Sequence, residues 1–558
     1  MTLLRRPFSR LLAASLGALV CAGCAQTPNP DANRAASRPD VAMGAVPLPY
    51  SAAVAARFPD PALPYRTPAF EPGRGDYTRN PEVQAWLHDV AQRGGPAQVR
   101  LLPLGTSQAG VPLEALLFTR LARTEPADVV QSGRPTVLLV GQQHGDEPAG
   151  SEALLVVAQR LVQGELQGLL ERINVLVLPR ANPDGAAVSR RVTNNGIDAN
   201  RDHLLLKTPE ARAQAQLVRD YRPAVVVDAH EYSVVGRFTQ KFGAIQRYDA
   251  LLQYATTANL PSALTQAAEQ WFREPLVAAL NREGLSSEWY YTTSADIADK
   301  KISMGGTQPD TARNVNGLKN AISLLVETRG VGIGKLHLQR RVHTQVTAIK
   351  SVLRSAAERA EPLVQLRRRI DAEVSAQACR GEAVVEAGPT PMRYPLLMLD
   401  PVTGADRSIR VDWDSALTLV PSKTRARPCG YWLDAQAQDA VSRLRDLGVR
   451  VLQVAQGGAL QAETYRETGR SSGARQDVRG AIADAESIVR VQVSVEAEPL
   501  TAGAGSYYVP LDQPLANLVV AALEPDTQNS YLANRLVAAV GQVARVMQPP
   551  PASMLAMP

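Results

Sequence analysis

The stretch Thr136-Val-Leu-Leu-Val-Gly141-Gln-Gln-His144-Gly-Asp-Glu147-Pro-Ala-Gly150 decides how this chain folds. A β-branched apolar run stops in a polar loop that carries a His and a Glu three residues apart. Pro148 then suits the first turn of a helix. The pattern is that of a buried strand delivering two metal ligands to the end of a sheet. Alone, His-x-x-Glu is equally compatible with two side chains satisfying each other in a turn, so the neighbouring segments have to decide.

Working outward, a helix is expected over Pro81–Gln92. Gln98–Leu104 and Pro112–Thr119, joined by Gly105-Thr-Ser-Gln-Ala-Gly110, predict a hairpin. Ser151–Leu170 has helical spacing. Ile173–Leu178 reads as a strand ending in Pro179-Arg-Ala-Asn182-Pro-Asp-Gly185. Ala224–Val227 is another, ending in Asp228-Ala-His230-Glu231, and Ile322–Val326 a fourth, ending in Glu327-Thr-Arg329-Gly330. Apolar runs that each end in polar residues, with helices between them, predict an α/β fold. The expected core is an open, mostly parallel mixed sheet with helices on both faces and ligands at the carboxyl ends of its strands.

The chain has 558 residues, 45% of them hydrophobic, and a formal net charge of +6. That is long enough for more than one domain. The small, dispersed charge argues against a nucleic-acid partner. Arg5, Arg6 and Arg10 ahead of the apolar run Leu11–Val20 read as a signal peptide over residues 1–24. Ala22-Gly23-Cys24 resembles a bacterial lipobox, and Arg5-Arg6-Pro7-Phe8 a twin-arginine signal. These imply an exported protein, periplasmic or tethered to a bacterial membrane through lipidated Cys24. Residues 25–78, rich in Pro and Ala, read as a linker and 79–378 as the catalytic domain. Residues 379–548 read as an α+β or β-rich accessory domain, and 549–558 as a disordered tail. Cys379 and Cys429 are either a disulfide or two buried thiols. Leu336 to about Ala376 has helical spacing that Pro362 should kink or split.

His144-x-x-Glu147, Asn182-Pro-Asp-Gly185, Arg191, Gly196-Ile-Asp-Ala-Asn200-Arg201, Asp228-Ala-His230 and Glu327-Thr-Arg329 stand in the order seen in the zinc carboxypeptidase family. That family includes carboxypeptidase A and bacterial D-type and murein-peptide relatives, and the resemblance covers roughly residues 80–350. It implies that His144, Glu147 and His230 hold one zinc ion and leave a fourth position for water, as a catalytic zinc requires. It further implies that Glu327 is the general base and that Arg191 stabilises the oxyanion. Asn200 and Arg201 would clamp the free carboxylate of a peptide substrate, cell-wall peptides included. Asp228 would orient a zinc-bound imidazole, while Glu231 should point away from His230 along a continuing strand. A zinc amidase or deacylase, or a murein-peptide endopeptidase, would use the same metal and base. A non-catalytic binding module would have lost one of them.

The sequence departs from the family in one place. No tyrosine lies between Thr292 and Val326, where a substrate-contacting one is usual. Tyr290 and Tyr291 are the nearest upstream, and Arg313 or Asn314 are candidates to fill the role. Asp198 and Arg201, taken without their neighbours, read as a surface salt bridge. His88, His203, His337 and His343 have no ligand-like partners and read as surface or helix residues.

Overall fold

The computed structural model describes residues 48–62, 64–94, 98–484 and 486–556. The signal at 1–24, Cys24 and the linker as far as residue 47 lie outside the described residues. A helix over Asn80–Gln92 (α1) leads into the hairpin Gln98–Thr106 (β1) and Pro112–Thr119 (β2). Thr136–Gly141 (β3) runs into the helix Pro148–Val162 (α2), and Asn174–Leu178 (β4) follows. Next come the helix Pro209–Tyr221 (α3) and Val225–Ser233 (β5). Ala250–Tyr254 (β6), Ser287–Trp289 (β7), the short helix Ala312–Leu318 (α4) and Ile322–Val331 (β8) complete the first sheet, and the helix Leu338–Glu358 (α5) covers it.

The eight strands stand in the order β1-β2-β4-β3-β5-β8-β6-β7, and β4, β3, β5 and β8 at the centre are parallel. Their continuous apolar runs follow from burial on both faces. Val137, Leu139, Val225, Val227, Leu324 and Val326 join one core with side chains of α2 and α5. The alternating residues Leu138, Val140 and Val226 join a second core with Leu217, Val218 and Tyr221 of α3. Helices thus flank both faces, and the carboxyl ends of the four parallel strands open on one edge. Helix α2 comes close because residue 150 is Gly: a Cβ there would lie 2.8 Å from the Ala229 carbonyl oxygen.

The linker expectation is corrected for residues 48–78. Tyr50, Val54 and Phe58 are buried in a cluster with Tyr232 and Trp413. The hydroxyls of Thr67 and Thr78 donate to the buried Glu152 carboxylate at 2.5 and 2.8 Å. Tyr50, Val54 and Phe58 share that one cluster, whereas the Pro- and Ala-rich composition alone resembles a tether.

After α5 the chain breaks at Arg359 and resumes as the helix Ala360–Ser375 (α6), with Pro362 in its first turn as expected. The Cys379–Cys429 disulfide brackets a long hairpin, Glu382–Leu399 (β9) with Asp406–Ala426 (β10). Beyond it Gly430–Leu433 (β11), Leu452–Val454 (β12), Ala462–Gly473 (β13), Ile488–Ala497 (β14), Tyr507–Pro510 (β15), Val543–Val546 (β16) and Leu555–Ala556 (β17) form an antiparallel sheet. Its order is β14-β13-β16-β11-β15-β12-β17. The C-terminal region is therefore β-rich, as expected. The expectation of a disordered tail over 549–558 is corrected for its described end: Leu555 pairs with Val454, and Met554 is buried. Nor does the region stand apart. Residues 48–558 form one compact unit, the Tyr531 hydroxyl donates to the Leu204 carbonyl at 3.2 Å, and the Asn517 amide donates to that of Asn259 at 2.8 Å.

Candidate active site

The loop after β3 is seated on the Asn182 turn. Gly145 presses so closely on Gly185 that a Cβ would lie 2.0 Å from its carbonyl carbon. The Asn182 amide donates to the Gln143 carbonyl at 3.2 Å, and its oxygen accepts from Gly185 N at 2.9 Å. This fixes His144 at the end of β3 and Glu147 at the mouth of α2, where the helix dipole favours a carboxylate. His230 arrives from β5.

The three side chains converge. Each offers one ligand atom, and these atoms all lie within 4.8 Å of one another, in a buried setting. Glu147 Oε1 is 2.8 Å from His144 Nδ1, and Oε2 is 2.7 Å from His230 Nδ1. The outer nitrogens are held by carboxylates: His144 Nε2 is 3.0 Å from Asp198 and His230 Nε2 is 2.9 Å from Asp228. Donation through Nε2 leaves both Nδ1 lone pairs facing inward, the arrangement a metal-ligating imidazole needs. Two imidazoles and a carboxylate on one side, with a cavity on the other, fit a zinc ion that keeps an open position. Asp228 thus takes the orienting place expected of it. Glu231 points away, its carboxylate paired with Arg341 at 2.7 and 2.9 Å.

Glu327 stands on β8 in register with His230 on the adjacent parallel strand, so both project on one face. It accepts no hydrogen bond from any described residue, and burial, with the charge of Glu147, pushes its pKa up to about 7. Arg191 reaches the same cavity. Its Nε and Nη2 donate to Asp198 at 3.1 and 2.9 Å, and Nη1 lies 3.3 Å from Glu147.

Residues 83–345 match the family model described as zinc carboxypeptidase. That span, a little under half of the chain, contains all three metal ligands and Glu327. It is 28% identical to carboxypeptidase 2 of Trichophyton rubrum over 399 residues, 71% of this chain and 72% of the relative. It is likewise 28% identical to human carboxypeptidase D over 208 residues, covering 29% of this chain and 15% of the relative. Among solved structures, carboxypeptidase A of Helicoverpa armigera superposes with a TM-score of 0.38 at 16% identity, covering 51% of this chain and 74% of that one.

The cavity beside the metal ligands measures about 400 Å³, and Asn200, Arg201, Tyr290, Arg313 and Arg479 line it with Glu327. Asn200 and Arg201 are in place but already engaged. Asn200 Oδ1 accepts from Ala312 N at 2.8 Å, and its Nδ2 lies 3.1 Å from His230 Nε2. Arg201 donates to the Asn200 carbonyl and to Asp477, each at 2.6 Å. Asp198 faces His144 and Arg191 and is not a surface partner of Arg201. Of the candidates for the missing tyrosine, Arg313 lines the cavity and Asn314 does not. The Asn314 side chain accepts from Thr256 N at 2.9 Å and donates to the Gln308 carbonyl at 2.8 Å. Tyr290 reaches the cavity from the end of β7. Tyr291 is packed against Phe238 and Trp413.

Four participants carry no sign of their role in the sequence. Asp198 was visible inside the Gly196-Ile-Asp-Ala-Asn200-Arg201 motif, without a sign that it holds His144. His203 is buried in a turn, where a surface or helix place was expected: its Nε2 is 2.7 Å from Gln143 Oε1, and Gln143 Nε2 donates to Asp228 at 2.7 Å. That relay extends the support of His230 outward by two side chains. Asp477 and Arg479 come from the C-terminal region, and no local pattern marks them.

Proposed function

We propose that the chain removes the last residue of peptides bearing a free C-terminal carboxylate, with Glu327 as the general base. The observation that carries this reading is the register of Glu327 with His230, which sets an otherwise unpartnered carboxylate beside the metal ligands. Zinc held by His144, Glu147 and His230 supplies the Lewis acidity that makes water a nucleophile near neutral pH. Glu327 takes a proton from the attacking water and passes it to the leaving amine, a task suited by a pKa near the working pH. Arg191, anchored by Asp198, presents Nη1 toward the reacting carbonyl and stabilises its developing negative charge. The ion pair with Asp477 holds the Arg201 guanidinium at the cavity wall, where it reads the chain end beside Asn200. Cell-wall peptides with a free end fall within this class.

The reading extends to export of the chain, with Cys24 lipidated. The signal pattern at 1–24 supports it, and so does the Cys379–Cys429 disulfide, since such bonds persist in oxidising compartments.

The test is Glu327→Gln in the zinc-loaded chain, assayed on a peptide and on its C-terminal amide. Zinc content should be unchanged while turnover falls roughly 10²- to 10⁴-fold. The amide should resist the wild-type chain. Unimpaired turnover in the variant removes the base assignment, and ready cleavage of the amide points to the amidase or endopeptidase alternative.

A further inference from the structure

Arg313 is an unusual buried cation. It is 4% exposed, yet none of the described carboxylates pairs with it. Its Nη2 donates to the Gly306 carbonyl at 2.9 Å and its Nε lies 3.4 Å from Asn314 Oδ1, while Nη1 has no partner among the described residues. Among the other buried guanidiniums, Arg329 lacks a hydrogen-bond partner among the described residues, but it does not line the cavity. Arg180 spends its donors on Gln142, Asn80 and Thr78, and Arg329 is covered by the Phe58 ring at 3.4 Å. Arg341 has Glu231. Arg313 instead faces the substrate cavity. The space before it is kept open by Gly305 (φ +88°), where a Cβ would lie 2.7 Å from the Tyr290 ring and 3.6 Å from Arg313 Nη2. Burial lowers the Arg313 pKa to about 10, the expected response of a cation short of counter-charge.

A second cation arrives from the loop segment 474–484 that follows β13. That loop is held firmly on the catalytic part: the Ala483 carbonyl accepts from Asp198 N at 3.0 Å, Asp484 pairs with Lys207 at 3.0 Å, and the Arg479 carbonyl accepts from Ala295 N at 2.9 Å. The Arg479 side chain shares Asp477 with Arg201, but from 3.3 Å against 2.6 Å, so most of that carboxylate's attraction is taken. Arg191 beside it, then burial and Arg201, depress its pKa. Arg313, Arg479 and Arg201 line the same cavity together with Tyr290.

We propose that Arg313 and Arg479 form a second carboxylate-binding locus, which selects peptides whose last residue carries an acidic side chain. The α-carboxylate of such a residue is read by Arg201 and its side-chain carboxylate by this pair. The proposal rests on the carboxypeptidase reading above and makes the C-terminal region a working part of the active site. A neutral or basic terminal residue leaves buried Arg313 without a carboxylate and Arg479 with only its share of Asp477 and a longer contact of 3.8 Å to Asp198, where a charge-assisted hydrogen bond would add most.

The experiment compares peptides identical but for a terminal Glu or Gln, equal in size and different in charge. With the full-length zinc-loaded chain, kcat/KM should favour Glu roughly 10- to 100-fold, and Arg313→Gln and Arg479→Gln should each shrink that ratio. Arg479 is partly exposed, so its variant remains informative should Arg313→Gln fail to fold. Equal or better cleavage of the Gln peptide, or a Glu preference that survives both variants, overturns the proposal. Calorimetric binding of Ala-Ala-Glu and Ala-Ala-Gln to the zinc-loaded Glu327→Gln chain separates this inference from the reading beneath it. Tighter binding of the Glu peptide with no turnover by the wild type would sink the peptidase reading and keep the locus. Equal binding would sink the locus.

Discussion

The Nδ1 atoms of His144 and His230 stand 3.1 Å apart, although the residues come from strands separated by 86 positions in sequence. Each imidazole is turned by a carboxylate at its far nitrogen, Asp198 for His144 and Asp228 for His230. The geometry at the centre thus depends on groups that never touch the metal. Replacing either carboxylate by its amide, Asp198→Asn or Asp228→Asn, should weaken zinc binding 10- to 100-fold. Competition against a chromogenic chelator measures this, and unchanged affinity in both variants would show that the imidazoles orient themselves.

Asp477 is a positioning residue for Arg201. Its loss frees one fork of a guanidinium that also leans on the Asn200 carbonyl. Asp477→Asn should raise KM for a peptide substrate about tenfold and leave kcat within a few-fold, the signature of lost ground-state binding. A fall in kcat with KM unchanged would place Asp477 in the chemistry instead.

Phe58 belongs to the segment whose composition suggested a tether. Its ring is 3% exposed and covers the Arg329 guanidinium at 3.4 Å, while Arg340 lies 6.0 Å from the ring centre. Phe58→Ala would open a cavity and uncover a charge with three unsatisfied nitrogens. The expected loss is about 3–5 kcal/mol by denaturant titration. A loss below about 1 kcal/mol would mean that the segment is not docked in solution.

His203 gives a pH dependence with a definite sign. Burial lowers its pKa from 6.5 to about 4, so on acidification the unfolded chain takes up the proton first. The stability contributed by neutral His203 is complete above about pH 6.5 and is lost as the pH falls through about 4, roughly 3 kcal/mol in all. His203→Gln removes that dependence. The stability gap between wild type and variant should therefore narrow between pH 6.5 and 4. A gap constant with pH would show that His203 titrates normally.

Much of the catalytic half was legible in the chain itself. Fully buried parallel strands must be apolar on both faces, so Thr136–Gly141, Asn174–Leu178 and the starts of β5 and β8 announced themselves as short unbroken runs. The polar residues that end them had to lie along one sheet edge. The resemblance to the zinc carboxypeptidases then named His144, Glu147, His230 and Glu327 together before any distance was known. The split at Arg359 followed equally from local chemistry, because Pro362 suits a first turn and breaks an interior one.

What the sequence left open were relationships that no period or spacing encodes. Residues 48–58 are anchored by only three apolar side chains, Tyr50, Val54 and Phe58, in one cluster with residues far along the chain, so composition does not show their burial. Asp198 on His144, His203 behind Gln143, and whether Cys379 and Cys429 bond were all matters of which group the fold sets opposite which. The contribution of Asp477 and Arg479 was the least foreseeable, since it depends on the loop segment after β13 crossing onto the strand-end cavity from nearly 300 residues away. Strand and helix patterns are local and survive in the sequence. Charge pairing across the cavity is non-local, and only the tertiary structure decided it.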